Sequence, residues 1–245
     1  MTHNTLTLVI FSIGFLSLSF SQENQKCEHY KVFDALFMYE NHSVFNGLEY
    51  IDRFPEVLKT ITTNNKFFKS YTFKKGKLTY DGQEYCDIEI KYDLLNDYLL
   101  IPYFNAKANI ISLNPTMVKE FELLESKFVR LENNPVLKPF YGNGFFEILH
   151  KDDTSKLYTK HRKGKISKIK RNKVVYAFKI ITDYFIEHDK QFYKLNTKRH
   201  LISIFPSKET AITSYYKNNR LLLKNNKSKF YSSLLRLLNK KDNTL

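Results

Sequence analysis

The stretch GKLTYDGQEYCDIEIKYDLLNDYLLI, residues 76–101, sets Asp81, Glu84, Asp87, Glu89, Asp93 and Asp97 among four tyrosines. Acids at this density could supply a general acid and a general base, as paired carboxylates do in glycoside hydrolysis. No other part of a catalytic set stands beside them. Asp81-Gly82, between Tyr80 and Gln83, lacks the hydroxyl of the Asp-Thr/Ser-Gly signature that holds an aspartic-protease carboxylate in place. The chain has no His-Glu-x-x-His, no Gly-x-Ser-x-Gly, no P-loop and no Gly-x-Gly-x-x-Gly turn. None of the seven histidines forms a close pair at metal-ligand spacing. No catalytic residue, cofactor or metal site is therefore expected, and the acids read as turn residues and as the solvent face of a sheet.

The second chemistry-bearing stretch is basic. KHRKGKISKIKRNK, residues 160–173, offers Lys160, Arg162, Lys163, Lys165, Lys168, Lys170 and Arg171 as candidate anion contacts. Clustered cations attract anionic glycan, lipid phosphate or an acidic protein surface through the same electrostatics. Base stacking would need interleaved aromatics, and this run has none, so nucleic acid is not the expected partner. The competing reading is a solvated hairpin joining KLYTK to VVYAFKI. Charge is distributed unevenly along the chain: residues 1–150 carry 15 Lys plus Arg against 18 Asp plus Glu, and residues 151–245 carry 24 against 7. Seven of the 39 basic residues are Arg, the residue with the bidentate fork that phosphate readers favour. A Lys-rich, Asn-rich composition also fits an AT-rich coding bias.

Positioning these residues falls to short strands. Alternating or aromatic-rich runs recur from VFDALFMY at residue 32 to QFYKL at 191, separated by Asn46-Gly47, Asp81-Gly82, Asn96-Asp97, Asn133-Asn134-Pro135 and Gly142-Asn143-Gly144. This predicts a mainly β chain, an antiparallel β-sandwich or barrel-like sheet. Tyr80-Asp81-Gly82-Gln83 reads as a tight hairpin turn. NPTMVKEFELLE, residues 114–125, reads as a short helix capped by Asn114. Past residue 196 the pattern predicts two or three short helices. They are TKRHLISIF ending at Pro206, SKETAITSYYKNN, and KSKFYSSLLRLLNKK with Phe230, Leu234, Leu237 and Leu238 on one face. That last amphipathic helix would dock on the strands or lie on an anionic membrane surface.

The chain opens with TLTLVIFSIGFLSLSF, residues 5–20, too short to span a bilayer and followed by small residues before Gln22. This predicts a signal peptide over 1–21, a β-rich body over 22–195 and a basic helical segment over 196–245. No later run is long and apolar enough for a transmembrane span. The expected location is the periplasm, the outer envelope or the medium. Two cysteines remain, Cys27 and Cys86. An oxidising compartment permits a bridge, while alternation places Cys86 on a buried strand face, where a free thiol packs as a small hydrophobe.

The signal segment ending at Ser21, KLTYDGQEYCDIEIKYDLLNDYLLI, GFFEIL, KLYTKHRKGK and HLISIFPSKETAITSYYKNNRLLLKN together resemble a group of exported bacterial proteins of unknown function from Bacteroidota. The resemblance implies export and a β-rich body with a helical C-terminus, and it brings no activity or site residue. The sequence thus leans towards a non-enzymatic binding or structural module that contacts anionic surface material or a protein partner. The second reading is a secreted glycan hydrolase with carboxylates drawn from separate strands.

Overall fold

A computed structural model describes residues 43–52, 64–103, 109–170 and 173–239. The expected signal segment, Cys27 and Arg171 lie outside the described residues. Eleven strands follow in order: β1 (Leu48–Glu49), β2 (Lys74–Tyr80), β3 (Gln83–Asp93), β4 (Tyr98–Tyr103), β5 (Asn109–Ser112), β6 (Val118–Leu123), β7 (Ser126–Leu131), β8 (Gly144–Lys151), β9 (Ser155–Lys170), β10 (Lys173–His188) and β11 (Gln191–Lys194). A short helix α1 (Lys138–Tyr141) precedes β8. The C-terminal helices are α2 (Lys198–Ile204), α3 (Glu209–Asn218), α4 (Arg220–Asn225) and α5 (Lys227–Leu238). The fold is mainly antiparallel β with C-terminal helices, as the alternating patterns imply.

All strands join one sheet in the order β1-β5-β4-β3-β2-β6-β7-β8-β9-β10-β11. The Asp-Gly turn is a two-residue hairpin: Tyr80 pairs with Gln83, and Asp81 and Gly82 have φ of 51° and 78°. Both positive angles are what a type I′ turn requires, and that turn matches the twist of its strands. The sheet curls until the Lys163 N–H of β9 donates to the Leu94 carbonyl just past β3, at 3.0 Å. Aromatic rings fill the curl. Phe121 stacks on Phe128 at 4.7 Å, and Tyr92, Phe145 and Phe68 meet them edge-on.

The helices cover the opposite end. Leu157, Tyr184 and Ile186 of β9 and β10 pack against Leu201, Ile212, Phe230, Leu234 and Leu235. The caps follow the sequence: Thr197 accepts from the His200 N–H and Asn226 from the Lys229 N–H. The apolar face of α5 is thereby committed to the sheet. Its buried set is Phe230, Tyr231, Leu234, Leu235 and Leu238, and Leu237, expected on that face, is half exposed.

Three expectations need correction. Residues 114–125 form a turn and then β6, not a helix. Tyr80 pairs with Val118 and Thr79 with Glu120, so Lys119 is an extra bulged residue. The bulge converts a strand's alternation into the Val118-Phe121 spacing of a helix. A second bulge lies opposite Lys77, where Gly76 pairs with Ile88 and Leu78 with Tyr85, and Asp87 takes φ 56°. It shifts the inward face, so Tyr85 is buried and Cys86 is only partly so. Cys86 is not a packed free thiol; it is disulfide-bonded, and the chain's other cysteine is Cys27. The third correction concerns the acids and cations of the two chemistry-bearing stretches.

Candidate functional site

Asp93, expected at the surface, is fully buried. The β3–β4 loop folds over it: Oδ1 accepts from the Leu95 and Asn96 N–H groups at 2.8 and 3.2 Å. Oδ2 accepts from the Tyr50 hydroxyl at 2.7 Å and the Asn96 amide at 2.8 Å. Lys66 Nζ stands 3.6 Å from that oxygen and 2.8 Å from Asp52 Oδ1. Burial, together with the Asp93 charge, pushes the Tyr50 phenol far above its ordinary range. A cleft of about 950 Å³ opens beside this cluster, lined in part by Tyr50, Lys66, Asn96, Tyr98, Ser112 and Asn114.

Asp97 lies at the end of the same loop and faces the interior of the curl. Its Oδ1 accepts from the Tyr92 hydroxyl and its Oδ2 from Lys160 Nζ at 2.7 Å and the Phe145 N–H at 3.4 Å. Lys160 is 2 % exposed, and its Nζ also donates to the Phe145 carbonyl at 3.0 Å. Gly144 permits the approach: a Cβ there would sit 2.3 Å from Asp97 Oδ2 and 2.8 Å from Lys160 Nζ. Burial lowers the Lys160 ammonium below its ordinary range, with Asp97 pulling the other way.

The next residues of β9 repeat the theme on alternate faces. His161 Nε2 lies 2.6 Å from Glu147 Oε2, its ring against Phe68, while its Nδ1 is buried without a partner. Burial raises Glu147, but hydrogen bonds from His161 and Ser126 and the charges of His161 and Lys69 outweigh it and hold the carboxyl below its ordinary value. Arg162 donates to Asp183 Oδ2 at 2.7 Å and lies over the Tyr141 ring. Lys163 Nζ donates to the Phe67 carbonyl at 2.9 Å and to the Asn65 carbonyl. Thus Lys160, Arg162 and Lys163 are engaged within the chain, two of them by its own carboxylates. Alternation could not reveal this, because Asp97 and Lys160 are 63 residues apart in sequence.

From Lys160 to Lys170 the run lies on one arm of a β-hairpin, β9–β10, as the hairpin reading has it. β8 pairs with β9 only as far as Thr159, and β11 pairs with β10 only from Phe185. Between them, β9 and β10 pair with each other in unbroken register from Lys160↔Asp183 to Lys170↔Lys173. The root of this ribbon is clamped by Lys163 and by Asn64, whose side chain bonds both the N–H and the carbonyl of Phe178. From Gly164 to Lys170 it extends about 20 Å at ~3.3 Å per residue. Lys165 lies on it with Nζ 5.0 Å over the Tyr176 ring, and Lys168 and Lys170 follow on β9.

A general acid needs a carboxyl moved upward, and Glu147, Asp152 and Asp183 are all moved downward by their donors despite burial. Among the described residues no three His, Cys, Asp or Glu side chains gather as a metal set, and no helix is long and apolar enough to cross a membrane. No family model, curated protein or solved structure matches the chain.

Proposed function

We propose that this protein is an exported, non-enzymatic binding module that contacts anionic envelope material through the β9–β10 ribbon. One observation carries the reading: between 163 and 180 the sequence holds six lysines, one arginine and no Asp or Glu, and the six lysines lie on two paired strands. At the root of the ribbon a carboxylate meets two of the cations, Asp97 the buried Lys160 and Asp183 the partly exposed Arg162. The signal-like segment over 1–21 and the disulfide at Cys86 support passage into an oxidising compartment.

The test is a salt titration of binding to heparin, a soluble polyanion. Lys165, Lys168, Lys170 and Lys173 are changed to Gln together, and Lys163 is left intact because it clamps the root. Wild-type binding should weaken steeply with salt, since exposed charges are screened within about 8 Å at physiological ionic strength. The variant should lose most of the affinity that remains there. Equal binding by both proteins at every salt concentration overturns the proposal.

A further inference from the structure

We propose that the ribbon inserts into the interface of an anionic lipid bilayer, so that lipid phosphate is the anion it meets. This deepens the binding reading above and rests on it. The observation behind it is the placement of isoleucines. Ile169 is 82 % exposed, Ile180 57 %, Ile166 41 % and Ile181 37 %. These are large apolar side chains on the most cationic element of the chain.

The register assigns them to faces. Ile166 pairs with Ala177, and Ile181 with Arg162, which puts Ile166 and Ile181 on one face. Ile169 and Ile180, at odd and even positions of the paired strands, take the other. Cations alternate in the same way: Lys179 shares the face of Ile166, and Lys165 shares that of Ile169. A folded protein partner or a glycan strand docks on one surface and would gather the apolar residues there. Apolar and cationic residues on both faces suit a medium that surrounds the element. The headgroup and acyl boundary of a bilayer is such a medium, apolar below and anionic above.

Residue type points the same way. Lysine is a point charge on a long apolar stem, so its stem can lie among acyl chains while the ammonium reaches up to phosphate. Six of the seven cations between 163 and 180 are lysines. Arginine's planar fork suits a fixed bidentate acceptor, whereas a fluid array of headgroups needs none.

Co-sedimentation of the full chain with phosphatidylcholine vesicles, with and without phosphatidylglycerol, tests this beside the heparin titration. Two variants are compared with the wild type: Ile166→Ser with Ile169→Ser, and the four-lysine change to Gln. Ile166, Ile169 and Lys165 are exposed, and an unchanged melting curve checks that each variant remains folded. Ile169→Ser alone serves as the milder variant should the pair melt early. Wild-type protein should bind only the anionic vesicles. The isoleucine variant should lose at least about tenfold on vesicles, since an apolar side chain of this size contributes 1.4 kcal/mol or more on leaving water, and should keep its heparin binding. The lysine variant should lose both, by on the order of fivefold per lysine on vesicles. Heparin binding without vesicle binding, or vesicle binding indifferent to the isoleucines, overturns insertion and leaves the anion-binding reading standing. Failure to bind either polyanion removes both.

Discussion

Replacing Asp97 by Asn should destabilise the fold by about 3 to 4 kcal/mol, while replacing Lys160 by Met should cost about half as much. The asymmetry follows from the geometry of the pair. The Lys160 side chain is 3 % exposed and the Asp97 side chain 29 %. At 2.7 Å, and with an effective dielectric near 20, their gross attraction is about 6 kcal/mol. Much of that is offset by taking the ammonium out of water. Asp97→Asn removes the attraction and leaves the ammonium buried with only the Phe145 carbonyl as a good acceptor. Lys160→Met leaves a carboxylate that keeps the Tyr92 hydroxyl and the Phe145 N–H and reaches solvent. The double variant D97N/K160M should lie near the Met variant alone, because no charge is then stranded. Urea denaturation of the four proteins closes this cycle. Equal losses from the two single variants, or a loss below about 1 kcal/mol for Asp97→Asn, would falsify the claim that a buried ion pair anchors β9 to the β3–β4 loop.

Three further outcomes follow from the fold. Gly82→Val should destabilise by about 1 to 3 kcal/mol through backbone strain alone, since nothing lies within 4 Å of a Cβ there, whereas Asp81→Asn should be tolerated; thermal melts decide it. The β6–β7 turn places Leu124 at φ 50° and the exposed Glu125 at φ 62°, so Glu125→Gly should stabilise by about 1 kcal/mol in denaturant titration, and a loss would show that the turn is not strained. Glu147, Asp152 and Asp183 are held below their ordinary carboxyl values in the folded state, so their contribution is present above the unfolded-chain values of about 4 to 4.5 and is lost as pH falls through the folded ones. Melting temperature should drop as pH falls below about 4.5, and a flat profile down to pH 2 would contradict the network.

Sequence reasoning reached the features that depend on near neighbours. Asp81-Gly82 specified its hairpin, the runs TKRHLISIF and KSKFYSSLLRLLNKK marked helices, and alternation announced antiparallel strands. It failed where one residue interrupted the period. The bulges at Lys119 and Asp87 made a strand look helical and set Cys86 out of the inward face. It failed again where burial was decided by a distant partner. Asp93 and Lys91 sit on what alternation marks as the wet face. Phe67 and Phe73 cover Lys91 at 4.3 Å, and Lys66 stands beside Asp93. A charged residue type signals exposure unless its counter-ion is known. For Asp97 that counter-ion is a residue of the very run read as a solvated hairpin. The basic run therefore divides in a way composition cannot show, into a root where Lys160 and Arg162 meet the chain's own acids and an outer ribbon whose own residues include no Asp or Glu.

That division also fixes an order of events. The contacts that draw the fold together join distant parts of the chain: Asp97 to Lys160, Leu94 to Lys163, Asn64 to Phe178. A chain emerging from its N-terminus presents Asp93 and Asp97 well before the β9 residues that complete their surroundings exist. Until then the aromatic interior has an open side, and the loop-closure entropy for sequence separations of 63 to 114 residues is still to be met. The first half accordingly stays unclosed until the last third arrives. On the exported route proposed above, lateness of this kind is useful, because a polypeptide that cannot finish its sheet early remains thin enough to be threaded.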